Sequence, residues 1–209
     1  EEENVTHVEG SLDPIRDIEI IETELLLRDI TSVEKRMEKL QKTARIGDKE
    51  SNDELAVLEL IFPQMNDGTL VHDIALEANQ KKRIRRRDLL TNKPTLYVAN
   101  VDEAEITAEK RSAALQTLFD FAGKKQNAAI CLCGKLEAEI SALPADEKSP
   151  FLEEYNLPEP GLDKLIHASY KLLNLETFFT GGDKQVRAWT ISKDATAPQA
   201  AREIHTDME

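Results

Sequence analysis

Two short polar segments stand where an α/β protein would hold a ligand. Asn100-Val101-Asp102-Glu103 follows the apolar, β-rich run Pro94-Thr95-Leu96-Tyr97-Val98-Ala99, and Cys133-Gly134-Lys135 follows Ala128-Ala129-Ile130-Cys131-Leu132. In open parallel sheets ligands bind just beyond the carboxyl ends of the strands, so an amide, a carboxylate, an ammonium and backbone N–H groups at these places can meet a ligand's polar edge. Neither segment is diagnostic alone, because a polar residue after a strand commonly forms a turn or caps a helix.

Other chemistry is sparse. A phosphate loop needs Gly-x-x-x-x-Gly-Lys followed by Ser or Thr, so that backbone N–H groups close on the phosphates while Lys and the hydroxyl serve charge and Mg²⁺. Gly123-Lys124 and Gly134-Lys135 both fail, lacking the earlier glycine and the following hydroxyl. Cys131 and Cys133, one residue apart on an apolar segment, suit neither a structural disulfide nor a zinc site and read as buried free thiols. His7, His72, His167 and His205 have no metal-ligand spacing and read as surface or turn residues. No nucleophile triad suggests itself. Tyr97, Phe178 and Trp189 read as packing residues.

Positive charge is concentrated in Lys81-Lys82-Arg83-Ile84-Arg85-Arg86-Arg87. Residues 77–93 carry a net +5 against −18 for the remainder, which makes this run the place for a contact with RNA phosphates or an acidic partner. The plainer reading is a solvated helix face. The overall charge of −13 excludes a general nucleic-acid coat.

The elements that would position these groups follow from periodicity. Leu26, Ile30, Val33, Met37, Leu40 and Ala44 recur at spacings of 4, 3, 4, 3 and 4, predicting a long helix over about 23–44 with a coiled-coil seam. Gly47 and Asp48 break it; Leu55, Leu58, Phe62 and Met65 resume it until Pro63 and Gly68 end it. The flanking positions are crowded with Glu, Lys and Arg, favouring a projecting antiparallel arm over a pair of helices on an ordinary core. Beyond the basic run, strand 94–100, a helix from Ile106 to Phe121 ending at Gly123, strand 128–133 and a helix over about 135–143 predict a doubly wound α/β unit. Helices at 147–155 and 161–173 follow the same reading. Runs 177–180 and 186–191 around Gly181-Gly182-Asp183-Lys184 predict a hairpin, and Thr196 is placed to cap a helix beginning near Pro198.

The 209 residues suffice for one large or two small domains, and 40% hydrophobic with 32% charged residues describes a globular chain. No apolar run approaches the roughly 18 residues that span a bilayer, and residues 1–3, all Glu, show neither an initiator Met nor a signal pattern. The cytoplasm is the default compartment. Both ends read as cut.

Several stretches together resemble the Obg-like (YchF-type) ATPases. They are Thr6-His7-Val8-Glu9-Gly10, Asp13-Pro14-Ile15-Arg16-Asp17-Ile18-Glu19, residues 93–103 from Lys93 to Glu103, Val186-Arg187-Ala188-Trp189-Thr190-Ile191, and Ala195-Thr196-Ala197-Pro198-Gln199-Ala200-Ala201 followed by Ile204-His205-Thr206-Asp207. The resemblance covers nearly the whole chain in the family's order. It implies the second half of a P-loop NTPase with an inserted helical coiled-coil arm and the start of a TGS domain, a small β-grasp module. The implied boundaries are 1–17 for a remnant of the nucleotide-binding domain, 18–88 for the arm and basic segment, 89–174 for the second half of the nucleotide domain, and 175–209 for the start of the TGS domain.

The resemblance also implies site residues. Ordinary GTPases use Asn-Lys-x-Asp, whose Asp accepts from the N1–H and 2-amino donors of guanine. Asn100-Val101-Asp102-Glu103 resembles the family's Asn-x-x-Glu variant, in which Asn100 meets the adenine edge, Val101 lies near the ring, and specificity relaxes toward ATP. Asp102 sits one position too early to restore the guanine pattern. Cys133-Gly134-Lys135 matches the second base-contacting loop, with the stem of Lys135 covering the purine. The family's phosphate loop, switch segments and metal-binding Asp would precede Glu1, so no catalytic residue and no metal ligand is assigned here. ATP and Mg²⁺ are expected of an intact parent protein, not as tight ligands of this chain, and the resemblance implies association with the ribosome. The alternative is a non-catalytic RNA- or protein-binding module using the arm and basic run.

Overall fold

A computed structural model describes residues 13–44, 48–85, 87–182 and 185–208. Thr6-His7-Val8-Glu9-Gly10, Gly47, Arg86 and the hairpin residues Asp183 and Lys184 lie outside the described residues, as does the side chain of Ala44. The described chain divides into two compact units, 13–94 and 95–208.

The first unit is helical: α1 (Pro14–Ala44), α2 (Lys49–Asn66) and α3 (Ala78–Arg85), with single 3-10 turns at Val71–Asp73 and Leu90–Asn92. Helix α1 begins well before the 23 expected from periodicity, because Asp13 caps it. Its Oδ1 accepts from the N–H groups of Ile15 (3.2 Å) and Arg16 (3.1 Å), and Pro14 occupies the first helical position, where a missing N–H costs nothing. The seam positions Leu26, Val33 and Leu40 are buried and Ile30 and Met37 partly so, packed with Val57, Leu58, Ile61 and Met65 of α2. Asp48 caps α2, accepting from Ser51 N–H at 3.0 Å.

Pro63 does not end α2, contrary to the sequence expectation; the helix runs to Asn66 and stops before Gly68 (φ +91°). A proline inside a helix costs about 3 kcal/mol. Ile61 and Met65, both fully buried on either side of it, together return a comparable amount or more, about 3–6 kcal/mol at about 1.5–3 kcal/mol each. The chain after α3 is tied back to α1 by Asp29, only 2% exposed. Its carboxylate accepts from Leu90 N–H (2.9 Å), Thr91 N–H (2.8 Å) and the Thr91 hydroxyl (2.7 Å), so the buried charge is fully hydrogen-bonded.

The second unit mixes helices with two small sheets. In chain order it holds β1 (Leu96–Asn100), α4 (Glu103–Thr107), α5 (Ala113–Lys124), β2 (Ala128–Leu132), α6 (Gly134–Ala142), α7 (Ala145–Glu154), α8 (Gly161–Leu172), β3 (Leu175–Gly181), β4 (Val186–Ser192) and α9 (Ala197–Ile204). Strands β1 and β2 pair in parallel with Asn100 opposite Leu132, while β3 and β4 form an antiparallel hairpin with Phe178 opposite Trp189. Thr196 precedes α9, and its N–H donates to Gln199 Oε1 at 2.8 Å.

The single helix expected from Ile106 to Phe121 is two. Residues 108–112 interrupt it because Ser112 starts a new helix: its Oγ accepts from Leu115 N–H (3.3 Å) and its own N–H donates to Glu105 Oε1 (2.8 Å). The intervening Glu109-Lys110-Arg111 offers no apolar side chain whose burial would favour continuing the helix. Tyr97 is buried against Phe121, ring centroids 6.0 Å apart, and its hydroxyl accepts from Asn127 Nδ2 at 3.3 Å. Both thiols are free, but only Cys133 is buried; Cys131 is half-buried, at 3.9 Å from Lys164 Nζ.

Candidate functional site

The parallel register brings the ends of β1 and β2 side by side, and Val101 N–H donates to Leu132 O at 2.9 Å, extending the ladder one residue past β1. Residues 100–103 and 133–135 are therefore neighbours in space. Asn100 Oδ1 accepts from Gly134 N–H at 3.0 Å. Because a backbone N–H can only donate, this bond fixes which end of the carboxamide is oxygen and turns the Nδ2 donors outward from the loop contact. A Cβ on Gly134 would meet Asn100 Oδ1 at 3.2 Å, so glycine permits this close approach.

The two carboxylates after β1 are both engaged. Asp102 caps α4 by accepting from Glu105 N–H at 2.7 Å, and that bond holds its carboxyl below the ordinary range. Glu103 Oε1 lies 2.8 Å from Lys135 Nζ, an ion pair joining the two loops, with 36% of the Glu103 side chain and 63% of that of Lys135 exposed. Beside it, Glu103, Ala104 and Thr107 of α4 face Glu154, Tyr155 and Asn156 at the end of α7 across an open depression of about 470 Å³. Partial burial, then the negative charges of Glu103, Glu139 and Glu154, push the Tyr155 phenol up from its ordinary value, so it stays protonated and can donate.

One positioning residue was not legible from the motifs. Glu137 of α6 accepts from Gly161 N–H (2.6 Å) and Leu162 N–H (3.0 Å), capping α8 from outside and pinning it to the helix that Gly134 opens. The available signal was an absence: Pro160 precedes α8 and gives it no side-chain cap, so the orphan N–H groups need a partner from elsewhere.

The basic run divides in two. Arg83 Nη2 pairs with Asp53 Oδ2 at 2.7 Å, and Arg87 Nη2 with Glu54 Oε2 at 2.6 Å. Arg36 of α1 grips the same Glu54 through two bonds of 2.8 Å. Hydrogen bonding from Arg36 holds the Glu54 carboxyl below its ordinary range against the opposing effect of burial, and the charges of Arg87 and Arg83 add to the lowering. Ile84 is buried. Lys81, Lys82 and Arg85 are exposed on the other side of α3, so these carry the outward positive charge among the described residues of the run.

The described histidines are engaged locally: His72 Nδ1 lies 2.7 Å from Thr91 O, His167 Nδ1 2.9 Å from Glu159, and His205 Nδ1 accepts from Asp207 N–H at 3.3 Å. Among the described residues no group of three or more His, Cys, Asp or Glu is arranged to hold a metal ion, and no helix is long and apolar enough to cross a membrane.

All 209 residues align at 44% identity with the ribosome-binding ATPase YchF of Escherichia coli O157:H7. The chain is similar along its whole length to proteins of the YchF family. The protein of the same name from Bacillus subtilis is 40% identical over 208 residues. The chain spans 57% of the length of both relatives. The solved structure of the Schizosaccharomyces pombe YchF GTPase superposes with a TM-score of 0.82 at 31% identity, covering 99% of this chain and 56% of that one. A family model named YchF-GTPase_C, described as a protein of unknown function (DUF933), matches residues 175–209, which hold the β3–β4 hairpin and α9.

Proposed function

We propose that this chain carries the adenine-recognition part of an ATP-binding, ATP-hydrolysing, ribosome-associated protein of the cytoplasm. The observation that carries the reading is the Asn100 Oδ1 to Gly134 N–H bond, which joins the two strand-end loops and leaves the Nδ2 donors of Asn100 for a purine acceptor. Val101 then supplies an apolar contact to the ring, Gly134 allows close approach, and the stem of Lys135 covers the base. In this reading β1 and β2 belong to the doubly wound sheet of a P-loop NTPase spanning 1–17 and 89–174. Residues 18–88 are its coiled-coil arm and 175–209 open a TGS domain.

Phosphate and Mg²⁺ binding, and with them the stabilisation of phosphoryl transfer, we assign to the part of the relatives' length that this chain does not span, since no phosphate-loop motif occurs in the 209 residues. The ribosome contact we assign to Lys81, Lys82 and Arg85, together with Arg86. The names of the relatives support this ATPase and ribosome reading over a purely non-catalytic binding module.

The base site is tested by titrating the isotope-labelled chain with ATP and following backbone amides by NMR. Shifts centred on Asn100, Val101, Gly134 and Lys135, lost in Asn100→Ala, are expected at millimolar nucleotide. Unperturbed amides in both loops would remove the reading.

A further inference from the structure

We propose that Lys135 is a specificity-determining residue, which disfavours guanine by occupying the carboxylate of Glu103; this rests on the base-recognition reading above. Guanine presents adjacent N1–H and 2-amino donors, and a site that selects it must supply a carboxylate ready to accept both. A carboxylate drawn toward an ammonium must reorient to present both oxygens to that pair, and the cost of loosening the existing contact falls on guanine alone, because adenine lacks the donor pair.

Asp102 and Glu103 both follow β1, and each is diverted differently. Asp102 is held by a backbone donor, Glu105 N–H at 2.7 Å, and the start of α4 depends on that cap. Glu103 is held across the site by a side chain, Lys135 Nζ at 2.8 Å. Lys135 is the residue after Gly134, whose N–H orients Asn100. The same short loop therefore presents the donor end of Asn100 and withdraws the acceptor of Glu103. Two features of opposite sign, one favouring adenine and one disfavouring guanine, come from consecutive residues.

With the Lys135 side chain 63% exposed, such a pair shifts an equilibrium by about two- to fivefold. The measurement is the ratio of dissociation constants for GTP and ATP, read from amide shifts of the labelled chain. Because both nucleotides carry the same triphosphate, any loss of general attraction to the Lys135 charge cancels in the ratio. Lys135→Ala is expected to lower the GTP-to-ATP ratio about two- to fivefold through stronger GTP binding. Lys135→Arg, which keeps a cation opposite Glu103, should leave the ratio unchanged, and Glu103→Gln added to Lys135→Ala should abolish the gain. ATP shifts at Asn100 and Gly134 with an unchanged ratio in Lys135→Ala would overturn the proposal and leave the base site standing. Absence of shifts with either nucleotide would overturn both.

Discussion

Replacing Glu54 by glutamine should destabilise the helical unit by about 2–3 kcal/mol, a value that follows from three charge-assisted hydrogen bonds and their exposure. The carboxylate receives Arg36 Nε and Nη2 at 2.8 Å each and Arg87 Nη2 at 2.6 Å, while Glu54 itself is 7% exposed. Bonds to charged groups contribute about 1.5–3 kcal/mol apiece, which would overstate the loss if summed. The arginines are 38% and 36% exposed, so water re-solvates them when the carboxylate is gone, and the desolvation of Glu54 already offsets part of the gain. The substituted carboxamide also retains an acceptor oxygen. Far-UV circular dichroism in a urea series reads the helices, and fluorescence of the single Trp, Trp189 in the other unit, serves as the internal control. The wild-type advantage should also depend on acid. Because the folded-state pKa is depressed, it is present in full above the ordinary carboxylate value of 4.5 and lost as pH falls through the lowered one. A loss under about 0.5 kcal/mol at neutral pH, the range of an ordinary surface substitution, would refute the reasoning.

Gly161→Ala should cost about 1–3 kcal/mol by thermal melt, since its Cβ would meet Glu137 Oε1 at 2.7 Å and Leu132 Cβ at 2.8 Å; an unchanged melting temperature would show that the Glu137 cap shifts freely. Charge reversal at Lys81, Lys82 and Arg85 should weaken ribosome binding and flatten its salt dependence without destabilising the chain, whereas reversal at Arg83 or Arg87 should destabilise it. Equal salt slopes for wild type and the triple variant would return those cations to a solvated face. The purified 209-residue chain should show no ATP turnover, and measurable hydrolysis free of contaminating ATPase would defeat the assignment of phosphate chemistry elsewhere.

What the sequence determined by itself is whatever depends on near neighbours along the chain. The seven-residue spacing of Leu26, Val33 and Leu40 marks a buried face because a helix brings such positions round to one side, and all three are buried. The runs 94–100 and 128–133 read as strands, and strands form over 96–100 and 128–132, because strand length and turn chemistry are local. Tertiary structure decided the rest. That α2 passes through Pro63 depends on what Ile61 and Met65 bury against. Arg83 and Arg87 looked like their neighbours in the basic run, yet they face Asp53 and Glu54, 30 and 33 positions away. Lys135 and Glu103 are likewise 32 positions apart by number and 2.8 Å apart in space. Ion pairs fall off within a few ångströms and leave no period in the chain, so which charges are outward and which are spent on each other is settled only when the elements pack.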